Sequence, residues 1–386
     1  MVNQRVGGIR VPVQKEVSKH AASDQFGQKR SSASKAPNGA RTSSAAPLYA
    51  ALDLGTNNCR LLIVRACEDG YRVVDTFSRI VRLGEGLGRN GRLSEAAMAR
   101  TIAALQACAG KLKYRGVRHL RAVATEACRR AENCDAFLRR VRQETGLELE
   151  IISSEEEACL ALQGCAPLLA PDCPDALVFD IGGGSTELSW LTCCGNSLVK
   201  KGALATGNLR AWHSLPMGVV TLAEKYGGKD IESPVYEAMV GEALEALHGF
   251  EAIAGLQSLA HQGNLQFLGT SGTVTTMAGV YLDLHRYQRH KVDGLYMSAD
   301  TARAVIRAIC RMSYQARVAH PCIGVQRADL VIAGCAILDA FLRTWPVERL
   351  RVADRGVREG ILAGLIAQGQ GVAVSEDLLS AAKAAE

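Results

Sequence analysis

The chain has 386 residues, enough for two domains, each with its own core. Aromatic residues make up only 5%, which argues against a base-stacking nucleic-acid platform, and no apolar run approaches the ~20 residues of a membrane span. The net charge of +6 lies in residues 1–47, which hold eight Lys/Arg and two acids; the remainder has 37 of each sign, so charge alone does not make the body a polyanion binder.

Residues 1–47 are rich in Ser, Ala, Lys and Arg and read as a disordered basic tail. Thirteen cysteines, an odd number with no C-x-x-C pair, lead us to expect free thiols and a cytoplasmic setting. Ordered sequence starts at Leu48. Tyr49–Leu54 reads as an apolar strand ending on Asp53, followed by Gly55-Thr56-Asn57-Asn58 and a second strand to Val64. The spacing predicts a strand over 72–82, a Gly- and Arg-containing loop over 83–93, and a helix over 95–114 capped by Ser94. A strand over 118–124 precedes a helix from Thr125 to about Glu144, which carries Arg129. After a short strand over 149–152, Ser153-Ser154 caps a helix whose first turn holds Glu155, Glu156 and Glu157.

The strand-turn-strand unit then recurs. Leu177–Ile181 ends on Asp180, and Gly182-Gly183-Gly184-Ser185-Thr186-Glu187 follows. One Asp-x-Gly turn is weak evidence, whereas two in equivalent units suggest two similar halves facing one ligand. A third turn, Gly269-Thr270-Ser271-Gly272-Thr273, leads from a strand into a helix. Gly-rich turns and helix N-termini present unpaired N–H groups to anions. Further helices over 237–254, 299–312 and 328–341, a strand over 350–354 and a helix over 356–368 complete an α/β pattern.

Together these turns resemble the acetate and sugar kinase/Hsp70/actin superfamily, with its two ribonuclease H-like lobes and a cleft between them. The narrower resemblance is to the exopolyphosphatase/guanosine pentaphosphate phosphohydrolase (Ppx/GppA) family, in its short two-domain form. It rests on Asp53-Leu-Gly-Thr-Asn57 with Arg60, the Arg82-Leu-Gly-Glu-Gly loop, Thr125 with Arg129 and Asn133, Glu156-Glu157-Ala, Asp180-Ile-Gly-Gly-Gly-Ser185-Thr-Glu187, Met217-Gly218, Gly269–Thr273, Arg327-Ala-Asp329 and Arg358-Glu359-Gly360. Two departures stand out: Arg355 occupies a position where members often have Gly, and no His-Asp dipeptide of the longer members is present.

The resemblance implies a first lobe over 48–170, with the helix 356–368 packing back on it, a second lobe over 171–355, and a peripheral C-terminus over 369–386. Closure of the lobes over substrate is expected, with hinges near 160–175 and at the last helix. Local reasoning leaves Glu155, Glu156 and Glu157 as rival general bases; the resemblance selects Glu157. Arg129 is expected to clamp phosphate with its fork of donors. Gly55, Thr56, Asn57, Asn58, Gly182, Gly183, Gly184, Ser185, Thr270, Ser271, Gly272 and Thr273 are expected to bind phosphate. Asp53, Asp180 and Glu187 are expected to hold Mg²⁺, with Mn²⁺ as an alternative. Arg82, Arg89, Arg92, His290, Lys291 and Arg355 are weaker candidates for a basic track. The implied reaction is hydrolysis of the terminal phosphate of inorganic polyphosphate by a homodimer without a membrane or a specific nucleic-acid partner. The rivals are hydrolysis of guanosine pentaphosphate, phosphotransfer to ADP, and a sensor that binds without turnover.

Overall fold

Two mixed β-sheets, each opening with the same three-stranded antiparallel unit, organise the chain. The computed structural model describes residues 46–68, 70–170, 173–193 and 209–369, with the short backbone stretches 2–6, 9–13, 199–200 and 203–204. Most of the expected tail, Cys194 and the stretch 370–386 lie outside the described residues. Val2–Val6 and Ile9–Val13 pair as antiparallel strands, so this part of the expected disordered tail is extended and paired.

The first sheet runs in the order Gly70–Ile80, Asn58–Cys67, Leu48–Leu54, His119–Ala124, Glu150–Ile151. The first two pairings are antiparallel and the last two parallel. Leu48–Leu54 is almost continuously apolar because both its faces are covered. Leu52 and Leu54 face Met98, Ile102 and Phe137 on one side. Tyr49 and Ala51 face Leu160, Ile361 and Leu362 on the other. The second sheet repeats the plan: Leu209–Leu215, Thr186–Thr192, Asp175–Ile181, Leu265–Thr270, Arg349–Val352, with Tyr296–Ser298 added at the edge. Its main core gathers Phe179, Phe267, Phe341 and Trp345. This is the two-lobed α/β, ribonuclease H-like fold expected from the sequence.

Helix starts follow the sequence closely where a hydroxyl caps them. Ser94 accepts from Ala97 N (3.2 Å) and Ser153 from Glu156 N (3.1 Å), each filling an N–H left over at a helix end. The long helix expected after Thr125 is instead two, Glu126–Arg130 and Cys134–Thr145. Asn133, in the break between them, exchanges two hydrogen bonds with the Leu93 backbone (2.9 and 3.0 Å).

One helix belongs to both lobes. In Ser154–Cys165, Leu160 and Ala161 pack on the first sheet, while Leu162 and Cys165 pack on the second. The Val357–Gly369 helix crosses it and covers the first sheet. The crossing is backbone to backbone. A Cβ on Gly164 would lie 2.1 Å from the Gly356 carbonyl oxygen, and one on Gly360 would lie 2.1 Å from the Leu160 oxygen.

Candidate active site

The turns at the ends of Leu48–Leu54, Asp175–Ile181 and Leu265–Thr270 converge on one cleft between the lobes. The first hairpin closes with Gly55 N donating to Asn58 O (2.9 Å) and the second with Gly182 N donating to Ser185 O (3.0 Å). The two turns touch: a Cβ on Gly184 would meet Thr56 Oγ1 at 2.8 Å, and one on Gly183 would meet Thr56 Cβ at 3.0 Å. Glycine here lets the two lobes' loops approach each other as well as any ligand. In the third turn it is Ser271, not Gly272, that takes a left-handed backbone (φ 78°). A side chain at positive φ is uncommon and is stored strain at a site.

The cleft is lined by Asp53, Gly55, Thr56, Asn57 and Asn58 from the first turn and by Asp180, Gly182, Gly183, Gly184 and Ser185 from the second. Thr270 and Ser271 come from the third turn, and Glu157 from the interlobe helix. Gly272 and Thr273 line an adjoining recess with Asn57, Asn58 and Arg327. Thr56 Oγ1, Asn57 Oδ1 and Asn58 Oδ1 are buried with no hydrogen-bond partner. Three unsatisfied polar atoms on one turn fit a site waiting for a polar ligand.

Of the three rival acids, only Glu157 reaches the cleft; Glu156 is bound outward by Arg121. Arg129 Nη1 lies 2.8 Å from Glu157 Oε2. That nitrogen donates to the Ile152 carbonyl (2.9 Å), so its effect on Glu157 is mainly one of charge. Arg129 thus holds Glu157 Oε2 in an ion pair, and the carboxylate lines the cleft where a water would sit. Burial pushes the Glu157 carboxyl up to about 7, against the opposing pull of Arg129 and with help from Asp53 and Asp180. Burial likewise raises Asp180 to about 6, opposed by a hydrogen bond from Ser271 and by Arg60. Asp53 is also raised by burial, against Arg60 and Arg358.

Two expectations need correction. Arg129 does not line the cleft as a phosphate clamp. Its guanidinium is taken up by Glu126 (3.0 Å), Glu157 and the Ile152 carbonyl. Glu187 does not line the cleft either. Its Oε1 accepts from Ser185 (2.5 Å) and Ser214 (3.2 Å), and the residue is buried behind the Gly turn. Burial, with Glu157 and Asp180 nearby, holds it well above the usual carboxylate range. Among the basic-track candidates, Arg355 lines the cleft but bonds Asp293 (2.8 Å), and Arg82 pairs with Asp329.

Sequence reasoning missed Arg60 and Arg358 as cleft residues, and Asp354 and Glu359 beside them. Arg60 had a readable signal. Asp53 and Arg60 are register partners across the first hairpin, as Asp180 and Glu187 are across the second. The duplicated unit therefore sets a cation where its counterpart sets an acid. Arg60 and Arg327 form no ion pair among the described residues, and Arg327 is deprived of solvent, with Arg60 nearby lowering its proton affinity further.

Asp53 and Asp180 are the two acids from facing loops that reach the cavity. Among the described residues no cluster of three or more His, Cys, Asp or Glu forms a complete metal cage. Mg²⁺ commonly uses one or two carboxylates and takes its other ligands from water and phosphate, so this pair fits it.

Comparison with known proteins follows the same lines. A guanosine-5'-triphosphate,3'-diphosphate pyrophosphatase from Aeromonas salmonicida is 31% identical over 83% of this chain and 60% of its own length. One from Aliivibrio fischeri is 30% identical over 84% and 61%. The chain thus spans about three-fifths of the length of these curated relatives. A solved exopolyphosphatase-like protein is 27% identical, with a TM-score of 0.72 over 84% of this chain and all of its own. The Aquifex aeolicus family member is 26% identical, with a TM-score of 0.65 over 84% and 98%. The Ppx/GppA phosphatase family pattern matches residues 62–368, which contain all of the cleft except the first turn and Arg60, and the chain belongs to that family.

Proposed function

We propose that the protein hydrolyses the terminal phosphoric anhydride bond of inorganic polyphosphate, with water as the acceptor. The observation that carries this reading is Glu157: a buried carboxylate, ion-paired to Arg129, that lines a cleft walled by N–H-rich turns from both lobes. Its proton affinity, set near neutrality by burial, suits a base that takes a proton from water and gives it up again. Arg129 orients that carboxylate. The Gly55–Asn58 and Gly182–Ser185 turns, with Thr270 and Ser271, donate to phosphate oxygens, and Arg60 and Arg358 add charge. Asp53 and Asp180 would hold Mg²⁺ or Mn²⁺, which would supply neutralisation of phosphate charge.

Among the described residues no aromatic side chain lines the cleft or the adjoining recess, so a nucleobase finds no stacking surface among them. That favours polyphosphate. Hydrolysis of guanosine pentaphosphate is the second reading, supported by the names of the curated relatives. Phosphate release from both substrates, measured side by side with Mg²⁺ or Mn²⁺, separates them. Faster release from polyphosphate is expected, and no release from it overturns the proposal.

The same base fixes a pH dependence. Glu157 works only when ionised, so kcat/KM rises with pH to a plateau, with a midpoint of about 7 when metal is limiting. A bound cation favours the carboxylate and moves the midpoint to lower pH. A rate that stays flat from pH 5 to 8 at limiting metal counts against Glu157 as the base.

A further inference from the structure

The facing loops of the two lobes touch in this structure. The cavity left between the facing loops is about 70 Å³, room for a few waters and not for a threaded phosphate chain. Substrate access therefore requires the lobes to part, and something must hold them when they meet.

A direct contact between the lobes outside the loops is made by Arg82. Its Nη1 and Nη2 donate to Asp329 Oδ2 (2.7 Å) and Oδ1 (2.8 Å), a two-pronged pair, and Nη2 also donates to the Gln326 carbonyl (3.2 Å). Both side chains are half-buried, so the pair is less screened than one on the open surface. Arg82 adopts a left-handed backbone (φ 49°), a conformation that a long side chain rarely takes without a compensating contact. A second bridge lies close by: Gly86 N donates to Glu224 Oε1 across the lobes (2.7 Å).

Arg82 is also tied to the first phosphate-loop candidate. Arg82 N and Val81 N donate to the Asn57 carbonyl (3.1 and 2.9 Å), and Gly84 N donates to the Thr56 carbonyl (2.9 Å). At the other end, Asp329 precedes the Val331–Thr344 helix, in which Gly334 seats directly on Thr273 of the third turn. The ion pair thus joins the backbone that carries the first turn to the segment that supports the third.

We propose that the Arg82–Asp329 pair is the clasp of the closed state: it forms as the lobes meet and sets the first turn in register with the third, and it must break for substrate to reach the cleft. Arg82 is then a positioning residue, acting through Thr56 and Asn57. Breaking the clasp lowers the closed fraction of the free protein. Apparent affinity falls by that fraction, and saturating ligand restores closure.

The test uses the full chain and the variants Arg82→Ala, Asp329→Asn and the charge exchange Arg82→Asp/Asp329→Arg. Small-angle scattering reads closure without reference to catalysis. Each single variant is expected to show a larger radius of gyration than the parent, falling back when tripolyphosphate and Mg²⁺ are added. On the cleaved substrate, KM is expected to rise about tenfold, with kcat changing less than threefold. The exchange restores both radius and KM to within about twofold of the parent. Unchanged radius and KM in the single variants, or an exchange no better than either single, overturns the clasp. Scattering that responds as expected in a protein that releases phosphate from neither chain nor nucleotide keeps the clasp and removes the hydrolase reading.

Discussion

Glu157→Gln is expected to lower kcat by about a thousandfold or more while the protein stays folded. The amide keeps the size of the carboxylate but cannot accept the proton of an attacking water. General-base assistance alone is worth roughly 10²–10⁴-fold. Losing the Glu157 charge also leaves Arg129 with Glu126 as its sole carboxylate partner. Stability moves the other way. Glu157 is an acid raised from 4.5 to about 7 by burial, so the folded state favours its neutral form. In the parent that contribution is fully present below about pH 4.5 and is lost as pH rises to about 7. The amide never ionises and escapes this loss. Its advantage over the parent therefore grows between those two pH values, to an amount on the order of 3 kcal/mol. Denaturant unfolding of both proteins at pH 4.5 and 8, alongside their turnover, checks the two effects together. Near-normal turnover in Glu157→Gln rules the residue out as the base.

Gly164→Ala is expected to destabilise the protein by about 3 kcal/mol or more and to remove most activity. The new methyl group would meet the Gly356 carbonyl at 2.1 Å, a backbone atom with no rotamer to move to. Only a shift of one helix relieves it, and both helices carry cleft residues: Glu157 on one, Val357, Arg358 and Glu359 on the other. Gly364→Ala is the control. It lies in the Val357–Gly369 helix that crosses the one bearing Gly164, an added Cβ would meet nothing within 4 Å, and it is expected to gain about 0.5–1 kcal/mol from helix propensity alone. Thermal unfolding and phosphate release of the two variants separate a packing effect from a general intolerance of alanine.

The parts of this architecture set by short-range rules were legible in the sequence. Ser94 and Ser153 announce helix starts through their spacing to the first apolar residues, and the paired Asp-x-Gly turns announce two matching lobes. The parts set by partners distant in sequence were not. Arg129 reads as a phosphate clamp until the fold brings Glu157 against it, and Arg358, on a last helix whose return to the first lobe was expected, was not read as a cleft residue. Ser271 illustrates a subtler limit. The turn carries glycines at 269 and 272, yet the left-handed backbone falls on Ser271, which has a side chain. The break at Ala131–Asn133 is similar: local propensity favours one helix, and the hydrogen bonds of Asn133 to Leu93 decide for two.

In the proposed reaction water, activated by Glu157, attacks the terminal phosphorus of a phosphate chain. Digestion of polyphosphate in ¹⁸O-labelled water, with the released phosphate analysed by mass, tests it most directly. The expected result is one labelled oxygen in each phosphate released by the parent, with release nearly abolished in Glu157→Gln. Phosphate that carries no label, release that requires ADP as acceptor, or equal release by both proteins would contradict it.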